Sequence, residues 1–274
     1  MDNRPIGIFD SGLGGLTAVA EVLSAMPEED IIYFGDTGRV PYGVRSRETV
    51  IKYARQDIAF LQTFDIKAIV IACGTVSSAG MELAAGAYDI PIIGVVRPSV
   101  ERAAKVTRTG RVGIIGTPGT IRSGAYTRML REYLPAAEVV EQACPLFVPL
   151  VENGRVERGD IVIETMAREY LAPVCDFGID TLIMGCTHYP LLEGVIRDVV
   201  GPDVALVSPG REAARYARSL LGETGRTACR EKTGRARYFV SDNVEGFAKQ
   251  ASLFLGQDIA ENAEFVDIGA YAAE

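Results

Sequence analysis

Two cysteines, Cys73 and Cys186, each end a strongly apolar run at a turn: Ile69-Val70-Ile71-Ala72-Cys73-Gly74-Thr75 and Leu182-Ile183-Met184-Gly185-Cys186-Thr187. A thiol at a strand end points into a cleft rather than into packing. Its thiolate is the reactive form, with an ordinary pKa of about 8.5. Two thiols on opposite faces of one carbon suit racemisation, in which one removes a proton and the other delivers one to the far side. Taken singly, either cysteine has the blander reading of a small buried hydrophobe. His188, the only histidine, follows Cys186 by two positions in Cys186-Thr187-His188-Tyr189-Pro190. That placement suits a proton partner for the thiol. A Cys-His hydrolase is the competing chemistry, and it needs a third, orienting group and an oxyanion hole.

Asp10-Ser11-Gly12-Leu13-Gly14-Gly15 follows the first apolar run and opens a helical pattern. Asp and Ser are good caps, glycines let backbone approach a ligand, and amides at a helix N-terminus suit a carboxylate or phosphate. The run holds no G-x-G-x-x-G, and no acidic residue closes the second strand in the usual ribose-binding manner, which disfavours a dinucleotide. There is no G-x-x-x-x-G-K-[ST] and no lysine in a pyridoxal-phosphate context, so no cofactor is expected. Thr117 and Thr120, in Gly116-Thr117-Pro118-Gly119-Thr120, offer hydroxyls at a later loop, and Pro41-Tyr42-Gly43 is a turn with one aromatic hydroxyl. Glu152 closes the apolar run 146–151 and reads equally as a site acid or as a simple helix terminus.

The elements that must position these residues alternate between short β-branched runs and helical patterns, the signature of βα units and parallel sheets. Strands are expected at 6–9, 31–34, 68–72, 92–95, 111–115, 138–141, 181–184, 205–207 and 237–240. Helices are expected at 16–26, 47–64, 124–134, 160–171, 191–199, 211–220 and 244–254, with Ser46 capping the second. There is also an internal echo. Pro5-Ile6-Gly7-Ile8-Phe9 resembles Arg111-Val112-Gly113-Ile114-Ile115, and the two cysteine runs resemble each other, at intervals of 66 and 73 residues from Gly7 and Gly113. Two copies of one unit would place both cysteines at the carboxyl edge of a sheet, where ligands of open α/β sheets bind.

Composition bounds the alternatives. The chain has 274 residues and is 48% hydrophobic, enough for one large α/β unit or two lobes. A net charge of −8 argues against nucleic acid or an anionic membrane as partner. The N-terminal segment lacks a signal-peptide pattern, and no apolar run approaches the ~20 residues of a membrane span. Five cysteines without a C-x-x-C pair argue against a disulfide framework or a metal site and fit a reducing, cytoplasmic setting.

Taken together these segments resemble the glutamate racemases, which supply D-glutamate for bacterial peptidoglycan. The matches are Gly7-Ile8-Phe9-Asp10-Ser11-Gly12-Leu13-Gly14-Gly15, Tyr33-Phe34-Gly35-Asp36-Thr37 with Pro41-Tyr42-Gly43, Cys73 with Thr75, the 116–120 and 145–152 segments, and Gly185-Cys186-Thr187-His188-Tyr189-Pro190. The resemblance implies an α/β fold of two similar lobes, each a mainly parallel sheet flanked by helices, with the active site between them. The first lobe would be 1–96 with 210–274, carrying Asp10 and Cys73; the second would be 97–209, carrying Glu152, Cys186 and His188. Catalysis would need no cofactor. Cys73 would take the proton from D-glutamate and Cys186 from L-glutamate, assisted by Asp10 and His188, with Glu152 a further acid. Ser11, Pro41, Tyr42, Gly43, Gly74, Thr75, Thr117, Thr120 and Thr187 match positions around the substrate. A homodimer is compatible with the resemblance. The chain departs from the family pattern in three places. Gly74 stands where asparagine is usual and its amide would contact substrate, Arg97 stands where glutamate is common, and Val207-Ser208-Pro209-Gly210 replaces an Asp-Ser-Ala stretch. Gly74 keeps two further readings open: a racemase for aspartate or another amino acid, and an amino-acid-binding protein that catalyses weakly.

Overall fold

The computed structural model describes residues 1–80, 88–230 and 232–272. The strands are β1 (Ile6–Asp10), β2 (Ile31–Gly35), β3 (Ala68–Ile71), β4 (Ile92–Gly94), β5 (Arg111–Gly116), β6 (Glu138–Ala143), β7 (Thr181–Met184), β8 (Ala205–Val207), β9 (Ala236–Val240) and β10 (Ala263–Phe265). The helices are α1 (Leu16–Ala25), α2 (Arg47–Leu61), α3 (Gly74–Ala79), α4 (Val96–Val106), α5 (Pro118–Ser123), α6 (Ala125–Tyr133), α7 (Phe147–Glu152), α8 (Ile161–Asp176), α9 (Glu193–Val200), α10 (Pro209–Glu223) and α11 (Val244–Leu255). Every strand pairing is parallel. One sheet runs β10-β9-β2-β1-β3-β4 and the other β6-β5-β7-β8. The central strands β1, β2, β3 and β7 are buried along their whole length, as expected of parallel sheets covered on both faces by helices.

The echo in the sequence is a repeat in space. The order β2-β1-β3-β4 is the order β6-β5-β7-β8. Gly7 pairs with Ile69 and Gly113 with Leu182, so Cys73 and Cys186 each lie four residues beyond matched register positions. The two glycines even have equivalent packing partners. A methyl group on Gly7 would meet the Ile66 side chain at 3.0 Å, and one on Gly113 would meet Ile179 at 3.0 Å. The larger apolar core runs through both halves, from Ile8, Leu16 and Tyr33 to Phe147, Leu171 and Tyr189, and α1 packs along α10. Ser46 caps α2, its Oγ accepting from Thr49 N at 3.2 Å.

The differences from expectation have local causes. Helix α4 carries Pro98 in its first turn, where a missing N–H costs nothing, so a residue that reads as a breaker stands inside a helix. Helix α8 runs past Pro173 to Asp176, five residues beyond the expected end at Leu171. Strand β10 is a three-residue edge strand, Ala263-Glu264-Phe265, too short and too polar to show a strand pattern. The short helices α3, α5 and α7 fall in stretches expected as loops or apolar runs. Arg97 is exposed near the start of α4. Among the described residues no helix is long and apolar enough to cross a membrane.

Candidate active site

Cys73 follows β3 and occupies the N-cap position of α3. It is 5% exposed, and its Sγ donates to Ser11 Oγ at 3.5 Å. Asp10, the last residue of β1, is buried beside it. Asp10 Oδ2 accepts from Gly15 N at 2.8 Å, which pins the turn between β1 and α1. Its Oδ1 has no nitrogen or oxygen donor among the described residues, and the Cys73 thiol is its polar neighbour. Burial raises the Asp10 carboxyl, against the pull of His188 and the Gly15 amide. Burial also pushes the Cys73 thiol up to about 12, and the negative Asp10 adds to the rise. Cys73 therefore rests as a neutral thiol next to a carboxyl group of raised basicity.

Cys186 occupies the matching turn after β7 and is 7% exposed. Its Sγ lies 3.8 Å from His188 Nδ1, and His188 Nε2 lies 2.9 Å from Glu152 Oε1. Burial alone would lower the histidine, but the hydrogen bonds to Cys186 and Glu152 outweigh it and push His188 up to about 10. Packing across the second sheet sets this line. Tyr189 Oη donates to the Cys144 carbonyl at 3.1 Å, and its ring meets Phe147 edge-on at 5.2 Å. Phe147 starts α7 and Glu152 ends it, so one helix carries the acid from that contact to the imidazole. Phe254 of α11 stacks edge-on against His188 at 5.6 Å.

The two turns meet along a seam closed by backbone. A methyl group on Gly74 would lie 2.3 Å from the Gly185 carbonyl oxygen and 3.8 Å from Cys186 Cα. No side chain fits there without moving one lobe, so Gly74 acts here as a spacer, whereas the resemblance implied a side-chain contact with substrate at this position. Gly14 plays a related part. A methyl group on it would fall 2.3 Å from Thr187 Oγ1 and 2.4 Å from His188 Nδ1. The glycines after Asp10, expected to admit a ligand, thus bring the start of α1 against the Cys186 turn. Thr17 Oγ1 donates to the Thr187 carbonyl at 2.8 Å across the same seam.

The remaining expected residues divide into two groups. Thr75, Thr117 and Thr120 converge, with Thr75 Oγ1 3.0 Å from Thr117 Oγ1 and 3.5 Å from Thr120 Oγ1. Thr117 caps α5 through Thr120 N at 3.2 Å. Gly43 lies close to Thr117. The Tyr42 hydroxyl is committed elsewhere, donating to Asp36 in a buried network with Asp57 and Arg39; what this turn can turn toward a ligand is backbone. Pro41 is exposed, after a cis peptide bond from Val40. Thr17, Gln250 and Phe254 were not singled out from sequence. Gln250 Nε2 donates to the Glu152 carbonyl at 3.3 Å. All three lie on helical faces that read as ordinary amphipathic pattern, and no local signal marks them. Among the described residues no three His, Cys, Asp or Glu side chains are grouped as a metal site.

Comparison with known proteins adds to this geometry. The profile of the Asp/Glu/Hydantoin racemase family matches residues 11–217. A glutamate racemase of Geobacter metallireducens is 47% identical over 260 residues, covering 94% of this chain and 95% of that protein. Among solved structures, a glutamate racemase isoform from Bacillus anthracis superposes with a TM-score of 0.92 at 38% identity, covering 97% of this chain and 98% of that one. Glutamate racemase from Francisella tularensis, in complex with D-glutamate, gives 0.91 at 39% identity, covering 99% and 100%.

Proposed function

The chain belongs to the glutamate racemases of the Asp/Glu/Hydantoin racemase family, and from that premise we propose that it interconverts L- and D-glutamate by passing the α-proton between Cys73 and Cys186. The observation that carries the proposal is the placement of two buried thiols at matched register positions, on turns in backbone contact across one seam. The complex of a relative with D-glutamate supports the choice of substrate.

With D-glutamate, Asp10 accepts the Cys73 proton and the sulfur takes the α-hydrogen as a proton. The bonding pair stays on the α-carbon, delocalised into the adjacent carboxylate. Cys186 then gives its proton to the opposite face, and the retained pair forms the new C–H bond. His188 replaces the proton lost by Cys186, and Glu152 holds the imidazole in line. With L-glutamate the steps run backwards, as microscopic reversibility requires. The raised basicity of Asp10 and the raised imidazole of His188 each match one end of this transfer. Ser11, Thr187 and the threonines 75, 117 and 120 supply hydroxyls for the substrate's carboxylates and amino group, and Gly43 contributes backbone.

In this proposal the lobes are 1–96 with 210–274 and 97–209, of which residues 81–87, 231, 273 and 274 lie outside the described ones. The product would feed peptidoglycan synthesis. A reducing cytoplasm is supported by five free thiols.

Incubating reduced, folded protein with enantiopure glutamate in D₂O tests the proposal. Conversion to a near-equal mixture with deuterium at the α-carbon is expected. Absence of both exchange and conversion would overturn it. Faster turnover of enantiopure aspartate under the same conditions would move the assignment to a different amino-acid racemase, and tight glutamate binding without exchange would make the chain a binding protein.

A further inference from the structure

Between residues 37 and 46, a stretch outside every strand and α-helix, Tyr42 is the one buried side chain; Val40, Pro41, Val44 and Arg45 around it are exposed. Its hydroxyl reaches a buried polar cluster that no proton step uses. Tyr42 Oη donates to Asp36 Oδ2 and lies 3.4 Å from Asp57 Oδ2. Both carboxyls are fully buried, Asp36 just beyond β2 and Asp57 on α2. Arg39 engages three acceptors with its three side-chain nitrogens: Nε donates to Asp36 at 2.5 Å, Nη2 to Asp57 at 2.8 Å and Nη1 to Gln56 Oε1 at 2.6 Å. Ser241 Oγ donates to Asp36 Oδ1 at 2.7 Å, and Asp36 N donates to the Asp10 carbonyl at 3.0 Å. Burial and the charge on Asp36 raise the Asp57 carboxyl, favouring its neutral form. Desolvating two carboxyls and a guanidinium costs about what their attraction returns, so the cluster is a poor source of stability. What it fixes is the place of the turn. A methyl group on Gly43 would lie 3.0 Å from Thr117 Cβ, and one on Gly119 would lie 2.6 Å from the Gly43 carbonyl oxygen. The residue next to Tyr42 is therefore pressed against the second lobe at the threonine cluster, and any shift of Tyr42 moves it.

We propose that Arg39 and Asp57 are positioning residues for racemisation: with Asp36 they hold Tyr42, and through it the Gly43 backbone, in register with the threonines that receive the substrate. The inference rests on the racemase assignment and adds to it residues that touch no reacting atom. The groups held in place bind substrate and move no proton, so their signature is in KM and leaves kcat nearly alone. Arginine suits this part, because its rigid fork meets acceptors in several directions at once.

Steady-state kinetics of the full chain with each glutamate enantiomer, beside D-glutamate affinity by calorimetry, test it. Tyr42→Phe removes one hydroxyl and keeps the ring against Tyr53, whose centroid lies 5.3 Å away. KM for both enantiomers and the calorimetric Kd should rise about fivefold, with kcat held within about twofold. Arg39→Ala and Asp57→Ala should each raise KM about tenfold. Asp57→Asn keeps an acceptor for Arg39 in the same space and should recover most of that loss. A purely structural role gives the other pattern, since losing folded protein lowers kcat and leaves KM alone. Unchanged KM in Tyr42→Phe, lowered kcat at constant KM across the variants, or Asp57→Asn as impaired as Asp57→Ala would overturn the proposal. A parent chain that binds D-glutamate without converting it would strike the racemase assignment alone, and Kd across the same variants would then decide this one. A parent chain that neither binds nor converts glutamate would overturn both.

Discussion

The two cysteine turns occupy equivalent places in a repeated fold, yet their surroundings are of opposite character. Cys73 faces a carboxyl and a hydroxyl, Asp10 and Ser11, and burial with the neighbouring negative charge keeps its proton on. Cys186 faces an imidazole backed by a carboxylate, His188 and Glu152, and that imidazole is held charged well above neutrality. The repeat gives symmetry in geometry, and the first ring of polar neighbours removes it in charge. A two-thiol racemase needs both, because the sulfurs must reach one carbon from opposite sides while, at the moment of transfer, one must have given up its proton and the other must still hold one.

The comparison can be broken most directly at the sulfurs. Cys73→Ala and Cys186→Ala should each lower kcat for racemisation by roughly 10³-fold or more, measured by polarimetry with either enantiomer. A variant keeping a tenth of the activity would end the two-thiol scheme. One step out, Asp10→Asn and His188→Asn should each cost about 10²-fold. The equilibrium constant of a racemase is one, so kcat/KM must fall equally in both directions. The asymmetry of the two turns appears in kcat and KM taken separately, and identical values for both enantiomers in both variants would argue against it.

Gly74→Ala sharpens the comparison at the seam. The added methyl cannot coexist with the Gly185 carbonyl at 2.3 Å, so the lobes must part, and a misplacement of about 1 Å costs roughly 10- to 100-fold in kcat. Activity unchanged in Gly74→Ala would show that the seam opens freely during turnover. The smallest effect is expected at Glu152→Gln. Loss of the carboxylate lowers His188, moving the alkaline limit of kcat to lower pH. The stability effect has a definite sign. His188 is raised in the folded state, from an ordinary 6.5 to about 10, so its stabilisation is full below pH 6.5 and is lost as pH rises through 10. The Tm advantage of the parent chain over Glu152→Gln should therefore shrink between pH 7 and pH 10. A constant difference across that range would mean that the pair does not titrate with folding.

Much of this is legible in the amino-acid sequence. All nine expected strands and all seven expected helices correspond to observed ones, the strands within two residues at each end and the helices within five. Short parallel strands buried on both faces write themselves as apolar β-branched runs, so period and turn residues suffice to find them. Strand β10 and helix α4 escaped because an exposed edge and an early proline carry the opposite signal. At the site, Asp10, Cys73, Cys186 and His188 stood out because strand-end turns hold few other residues that could do chemistry. Glu152 stayed ambiguous, since its partner is 36 positions away and α7 had to be placed first.

The sequence by itself determined the paired thiols, their repeat and the lone histidine, because these depend on residue type and on spacing within one βα unit. Only the tertiary structure decided that Glu152 orients His188, that the Tyr42 hydroxyl belongs to Asp36, and that Gly74 is a spacer held against Gly185. Each of these is a contact between segments far apart in the chain, fixed by how two lobes pack against each other, and no local pattern encodes that distance.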